Sequence, residues 1–189
     1  MERPTDAELV RRYLDGDGDA FAELVRRHET RVYRVALRMT GRPEDARDAT
    51  QEAFLSALRK LKSFRGEAAF STWLHRVTVN ACYDLLRKRQ RQPIASEGGL
   101  EALELVAAPD ADPADEVGAA LEVRRALAAV PEEHRAVLVL HDVEDLGFDE
   151  IAEILGIPVG TAKSRLHRGR VALARALGEP TGGPEASNP

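Results

Sequence analysis

Apolar residues recur at three- and four-residue spacings along most of this 189-residue chain, the period of helices that bury one face. Between 20 and 40, Phe21, Leu24, Val25, Val32, Val35 and Leu37 form one such stripe. Gly41 and Pro43 interrupt it, and a second helix is predicted from Asp45 to Leu61, with Ala49, Ala53, Ala57 and Leu58 turned inward. A short polar loop containing Gly66 precedes a long helix over 70–91. Further on, the pattern predicts helices near 116–129, 132–143, 148–155 and 159–177. No stretch alternates with the period of a strand. The expected fold class is all-α, in two small helical bundles.

What lies between the bundles differs in kind. Residues 93–115 contain Pro93, Gly98, Gly99, Pro109 and Pro113, with six acids and no base. Such a segment has little apolar surface to bury and is expected to be a flexible acidic linker. The tail 179–189, with Pro180, Gly182, Gly183 and Pro184, is expected to be disordered.

Charge is sorted by segment, so the net −5 of the whole chain misleads. Residues 1–92 hold 19 Lys and Arg against 14 Asp and Glu. The stretch 155–178 holds Lys163, Arg165, Arg168, Arg170 and Arg175 with no acid. Local basic surfaces of this kind, rather than the total, govern binding to nucleic acid.

That second basic stretch follows a specific pattern. Phe148 to Leu155 reads as a short helix, Gly156 as its left-handed stop, and Pro158 as the entry to the next helix. Two helices joined over a short glycine turn make a helix-turn-helix, whose second helix lies in the major groove of DNA. Along that helix Ala162, Leu166, Gly169, Leu173 and Leu177 share one stripe, with small residues where a neighbouring helix must approach. Ser164, His167 and Arg168 face away from it, flanked by Lys163, Arg165 and Arg170, and Thr161 lies at the helix start. Arginine can bond guanine with two hydrogen bonds, whereas Lys and Ser commonly hold phosphates.

In the first half, Asp48, Gln51, Glu52 and Leu55 recur at three- and four-residue spacings, so one helix face offers carboxylates and an amide suited to a basic protein partner. The helix over 70–91 gathers Phe70, Trp73, His75 and Tyr83 and closes on Arg87, Lys88, Arg89 and Arg91. Aromatic rings beside cations suit single-stranded or melting DNA, because bases stack while phosphates meet charge. Trp73, at helical spacing to Val77, is expected in the core. Asn80 needs a partner for its amide, and a base edge is one. Cys82, the single cysteine, permits no intramolecular disulfide and reads as a small buried residue.

Taken together, Asp45 to Phe54, Phe64-Arg65-Gly66 followed by Phe70 to Asn80, and Leu138 to Leu166 resemble the extracytoplasmic-function (ECF) group of the sigma-70 family. The resemblance spans about 5–92 and 116–177. It implies an RNA polymerase sigma factor of the ECF type, which binds core polymerase, recognises promoter minus-thirty-five and minus-ten elements and promotes strand opening. Residues 1–92 would be region 2, 93–115 the linker, 116–178 the region 4 helix-turn-helix domain, and 179–189 the tail. Asp45, Asp48, Gln51, Glu52 and Phe54 would grip the β′ clamp helices, and region 4 the β flap. Phe64, Arg65, His75, Arg76 and Asn80 would capture a base flipped from the non-template strand. Arg87, Lys88, Arg89 and Arg91 would hold the duplex backbone upstream. Thr161, Lys163, Ser164, Arg165, His167, Arg168 and Arg170 would meet the minus-thirty-five element. Glu97, Glu101, Glu104, Asp110, Asp112 and Asp115 would stand in for RNA phosphates in polymerase's RNA channel. An anti-sigma factor is a further partner this group implies, with the two modules packed or masked until polymerase separates them.

No catalytic residue, metal or other cofactor is expected, because polymerase supplies the chemistry. The five histidines form no metal-binding spacing, and there is no phosphate loop or nucleophile elbow. A helix-turn-helix repressor would explain 148–177 but leave the Asp45–Phe54 face and the aromatic-basic helix idle. No apolar run suffices to span a bilayer, the start carries no secretory signal, and the expected location is the cytoplasm.

Overall fold

The computed structural model describes residues 3–66, 68–91 and 113–178, all helices and connections. The expected flexible linker falls outside the described residues as far as 112, as does the tail from 179.

Helix α1, Asp6–Leu14, starts at a capping box: Glu8 N–H donates to the Thr5 hydroxyl at 3.3 Å, and Thr5 N–H donates to the Glu8 carboxylate at 2.7 Å. α2, Gly18–Thr40, is capped by Asp17 and stopped by Gly41, whose φ of 77° only glycine adopts freely. Pro43 then opens α3, Pro43–Lys60, where its missing N–H is not needed. A 3₁₀ turn, Leu61–Ser63, leads to the loop before α4, Phe70–Arg91. Leu9, Leu24, Val32, Ala53, Ala57, Leu61, Phe70 and Leu74 form the buried core joining these four helices.

The second half comprises α5, Pro113–Ala129, α6, Glu132–Leu138, α7, Phe148–Leu155, and α8, Val159–Ala176. Gly156, at φ 63°, makes the left-handed turn between α7 and α8. Gly169 of α8 lies against α6 so closely that a Cβ there would stand 3.1 Å from the His134 carbonyl oxygen. This is the close approach anticipated from the small residues on the stripe. The helix expected over 132–143 departs from α-geometry after Leu138. Val139–Val143 widens into a π turn, with Glu144 N–H donating to Val139 O and Leu146 N–H to Leu140 O. Asp145 follows in the left-handed region at φ 55°. Such π turns often mark functional positions.

The two bundles pack on each other. Val35, Ala36, Met39, Ala46, Val79 and Cys82 of the first half share one buried cluster with Leu127, Val137, Leu140, Ile151, Ile154 and Leu166 of the second. Arg135 fastens the contact. Buried, and with no carboxylate paired to its guanidinium among the described residues, it donates to Ala128 O and Val130 O at the carboxy-terminal end of α5 and crosses to Met39 O of α2. It supplies donors for carbonyls that a helix end leaves without partners. Gln90 of α4 adds a hydrogen bond to Glu132 at 2.9 Å.

Candidate nucleic-acid interface

The loop after α3 and the first turns of α4 enclose a pocket of about 170 Å³, lined by Ser63, Phe64, Arg65, Thr72, Trp73 and Arg76. Phe64 packs its ring 5.3 Å from Trp73 and 5.9 Å from Phe70, edge-on to the latter. Trp73 is half-buried: one side joins the aromatic cluster and the other lines the pocket. The ring expected in the core therefore also forms a wall. Glu153 and Ile154 of α7 complete the pocket, so the second half covers the mouth of the first half's cavity.

Farther along α4, Asn80, Arg87, Lys88 and Arg91 are exposed. Arg87 pairs with Asp84 at 2.7 Å. Arg89 pairs with Asp45, which joins a residue expected at DNA to one expected at polymerase. On α3, Asp48, Gln51 and Glu52 are exposed, with Glu52 held by Arg59, while Phe54 is half-buried in an apolar groove with Phe21, Val25, Tyr33, Leu55 and Leu58.

His75 does not line the pocket. It is 3% exposed, beneath the packed second half, and neither ring nitrogen has a hydrogen-bond partner. Glu144 comes nearest, its carboxylate 3.8 Å from Nε2. Burial first, and the Arg31 charge second, hold the His75 pKa down to about 4 against the opposing pull of Glu144. The ring is neutral at physiological pH.

On α8, Lys163, His167, Arg168 and Arg170 are exposed, and Thr161 and Ser164 half-buried. The Ser164 hydroxyl donates to Thr161 O at 3.0 Å. Arg165 is tied to Glu133 at 2.5 Å, and Arg170 to Asp142 at 2.6 Å. The Lys163 ammonium lies 5.6 Å from the Phe148 ring centre. Arg168 makes no ion pair among the described residues, which leaves its guanidinium available. Two buried charged residues escaped the sequence reading, Glu144 and Arg135. The spacing of Arg31 and Arg38 on α2 was the visible signal for cations near Glu144.

Known proteins match both halves. Residues 24–92 match the sigma-70 region 2 family and residues 120–173 the sigma-70 region 4 family. The ECF RNA polymerase sigma factor SigM of Mycobacterium tuberculosis H37Rv is 46% identical over 175 residues, covering 92% of this chain and 85% of that protein. SigW of Bacillus subtilis, also an ECF RNA polymerase sigma factor, is 36% identical over 177 residues, covering 89% and 94%. The solved structure of CnrH in complex with the cytosolic domain of CnrY superposes with a TM-score of 0.68 at 25% identity, over 92% of this chain and 97% of that one. The fold and both matches define a sigma-70 type initiation factor. Within that class, this chain belongs to the ECF RNA polymerase sigma factors, which act in promoter recognition and transcription initiation and are not enzymes. No helix among the described residues is long and apolar enough to cross a membrane.

Proposed function

We propose that residues 1–92 dock on polymerase's β′ clamp helices through Asp45, Asp48, Gln51, Glu52 and Phe54, and take one flipped minus-ten base into the pocket at Phe64 and Trp73. Arg65, Arg76 and Asn80 border that base, His75 joins them once uncovered, and Arg87, Lys88, Arg89 and Arg91 follow the upstream backbone. Residues 116–178 read the minus-thirty-five element through α8 and meet the β flap, with 93–115 as the connecting linker. The observation that carries the reading is an aromatic pocket at the head of a helix whose other end is basic. Base–aromatic stacking returns about 1–3 kcal/mol per captured base, enough to trap an opening but not to melt duplex alone. The proposed location is the cytoplasm, with polymerase. An anti-sigma protein is the proposed restraining partner, consistent with the second protein bound in the CnrH structure.

The α8 assignments differ in their expected effects. Arg168→Ala should lower initiation by roughly tenfold or more, concentrated on promoters with the preferred base at one minus-thirty-five position, the cost of about 1–3 kcal/mol for a lost base-edge contact. Arg165→Ala, whose guanidinium Glu133 already holds, should lower it less and evenly across promoters. Initiation from a panel of single-base promoter variants checks both, and an even loss for Arg168→Ala would mark a phosphate contact instead.

A further inference from the structure

One carboxylate of the second half occupies a cationic surface of the first. Arg31, Arg34 and Arg38 follow one another at three- and four-residue spacings on α2. Glu144, placed by the π turn, sets its side chain against Arg31 with only 4% of it exposed. Its carboxylate accepts from Arg31 Nε, and its backbone oxygen accepts from Arg31 Nη2 at 3.2 Å. The His75 ring approaches the same carboxylate oxygen, with Nε2 3.8 Å away. Arg38 also feels the Glu144 charge, though burial and Arg34 outweigh it and lower the Arg38 pKa from its usual value. Arg31 thus holds the acid directly, and Arg38 lies within the field of the same charge. Arg34 and Arg38 make no ion pair among the described residues.

We infer that Arg31, Arg34 and Arg38 of α2, together with His75 of α4, form a phosphodiester-binding site for the opened promoter strand, and that Glu144 covers it as an anionic stand-in while the two halves are packed. The site adjoins the proposed base pocket in the chain, since His75 stands between pocket-lining Thr72 and Arg76 on α4. The same half closes both: Glu153 and Ile154 at the pocket, Glu144 at the arginines. Cationic tracks beside stacking rings are how proteins hold single strands. When the halves part, Glu144 leaves with its own half and three cations and an imidazole N–H become available.

The inference rests on the proposed role of 1–92, and two measurements separate their failures. In the first, a short fluorescein-labelled single-stranded DNA of mixed sequence is titrated with the free chain. Glu144→Gln should bind roughly tenfold tighter than wild type, and adding Arg31→Ala should erase the gain and reduce the salt slope by about 0.7, the value for one single-strand phosphate contact. The double change Arg31→Glu with Glu144→Arg restores the ion pair in reverse, so it should keep the wild-type melting temperature while gaining no affinity. Equal affinity of wild type and Glu144→Gln, or a gain in the reversed pair, would overturn the site. In the second, promoter opening is followed with core polymerase. Slower opening with Arg31→Ala than with wild type supports the site, and equal opening overturns it alone. No opening with the wild-type chain overturns the role of 1–92 and the site with it.

Discussion

Replacing Arg135 with Ala should lower the free energy of unfolding by about 3 kcal/mol, because the buried bonds to Met39 O and Val130 O and the part-buried one to Ala128 O lose a charged donor at once. The side chain is 6% exposed, so water cannot simply take its place. Burial also pulls its pKa below the usual arginine value, although the group stays charged at any physiological pH. Part of the loss falls on α5, whose end Arg135 caps, and part on the contact between the halves, since Met39 lies on α2. Urea unfolding measures the whole. Exposed Arg125 on the same helix pair serves as the control, where Ala should cost little. A cost for Arg135→Ala as small as that control would mean its four hydrogen bonds contribute nothing.

Acid should destabilise the packed chain through His75. Its folded pKa of about 4 lies below the ordinary 6.5, so the unfolded chain binds this proton first as pH falls. The contribution is therefore intact above pH 6.5 and is lost progressively between 6.5 and 4, reaching about 2–3 kcal/mol at pH 4.5. Burial sets it first; Arg31 and His28 on α2 also oppose protonation, and Glu144 after α6 and Glu150 on α7 favour it. His75→Leu keeps the site apolar and removes the titrating group. The difference in unfolding free energy between wild type and His75→Leu should narrow or reverse against wild type by that amount from pH 7 to pH 4.5. A difference independent of pH would show that the ring is not held neutral.

Most of the secondary structure could be read from the chain. The stripes at 20–40 and 70–91 correspond to α2 and α4, and Gly156 with Pro158 marks the α7–α8 turn, because local periodicity and turn chemistry decide these elements. α1 went unread as a separate helix although Thr5 and Glu8 write a capping box before it, a signal four residues long in a short element. The π turn was out of reach. An apolar run from Ala136 to Leu140 continues a helical pattern, and only the hydrogen bonds beyond it reveal the widening.

The site divides the same way. Phe64 in its loop and Arg76, Asn80 and the α8 cations on helical faces are visible as residue types, and the structure brings Phe64 and Arg76 together at one pocket. His75 shares α4 with them, yet it is buried, because periodicity within one helix does not say which face a distant helix will cover. Glu144 meets Arg31 across 113 residues, and Arg135 reaches Met39 across 96. Such pairings depend on how the halves pack.

Core RNA polymerase supplied with this chain on a library of random promoter sequences tests the central claim most directly. Transcripts should begin at defined positions downstream of one recurring pair of elements, and core polymerase alone should give none of them. Transcripts indistinguishable with and without the chain would contradict the account.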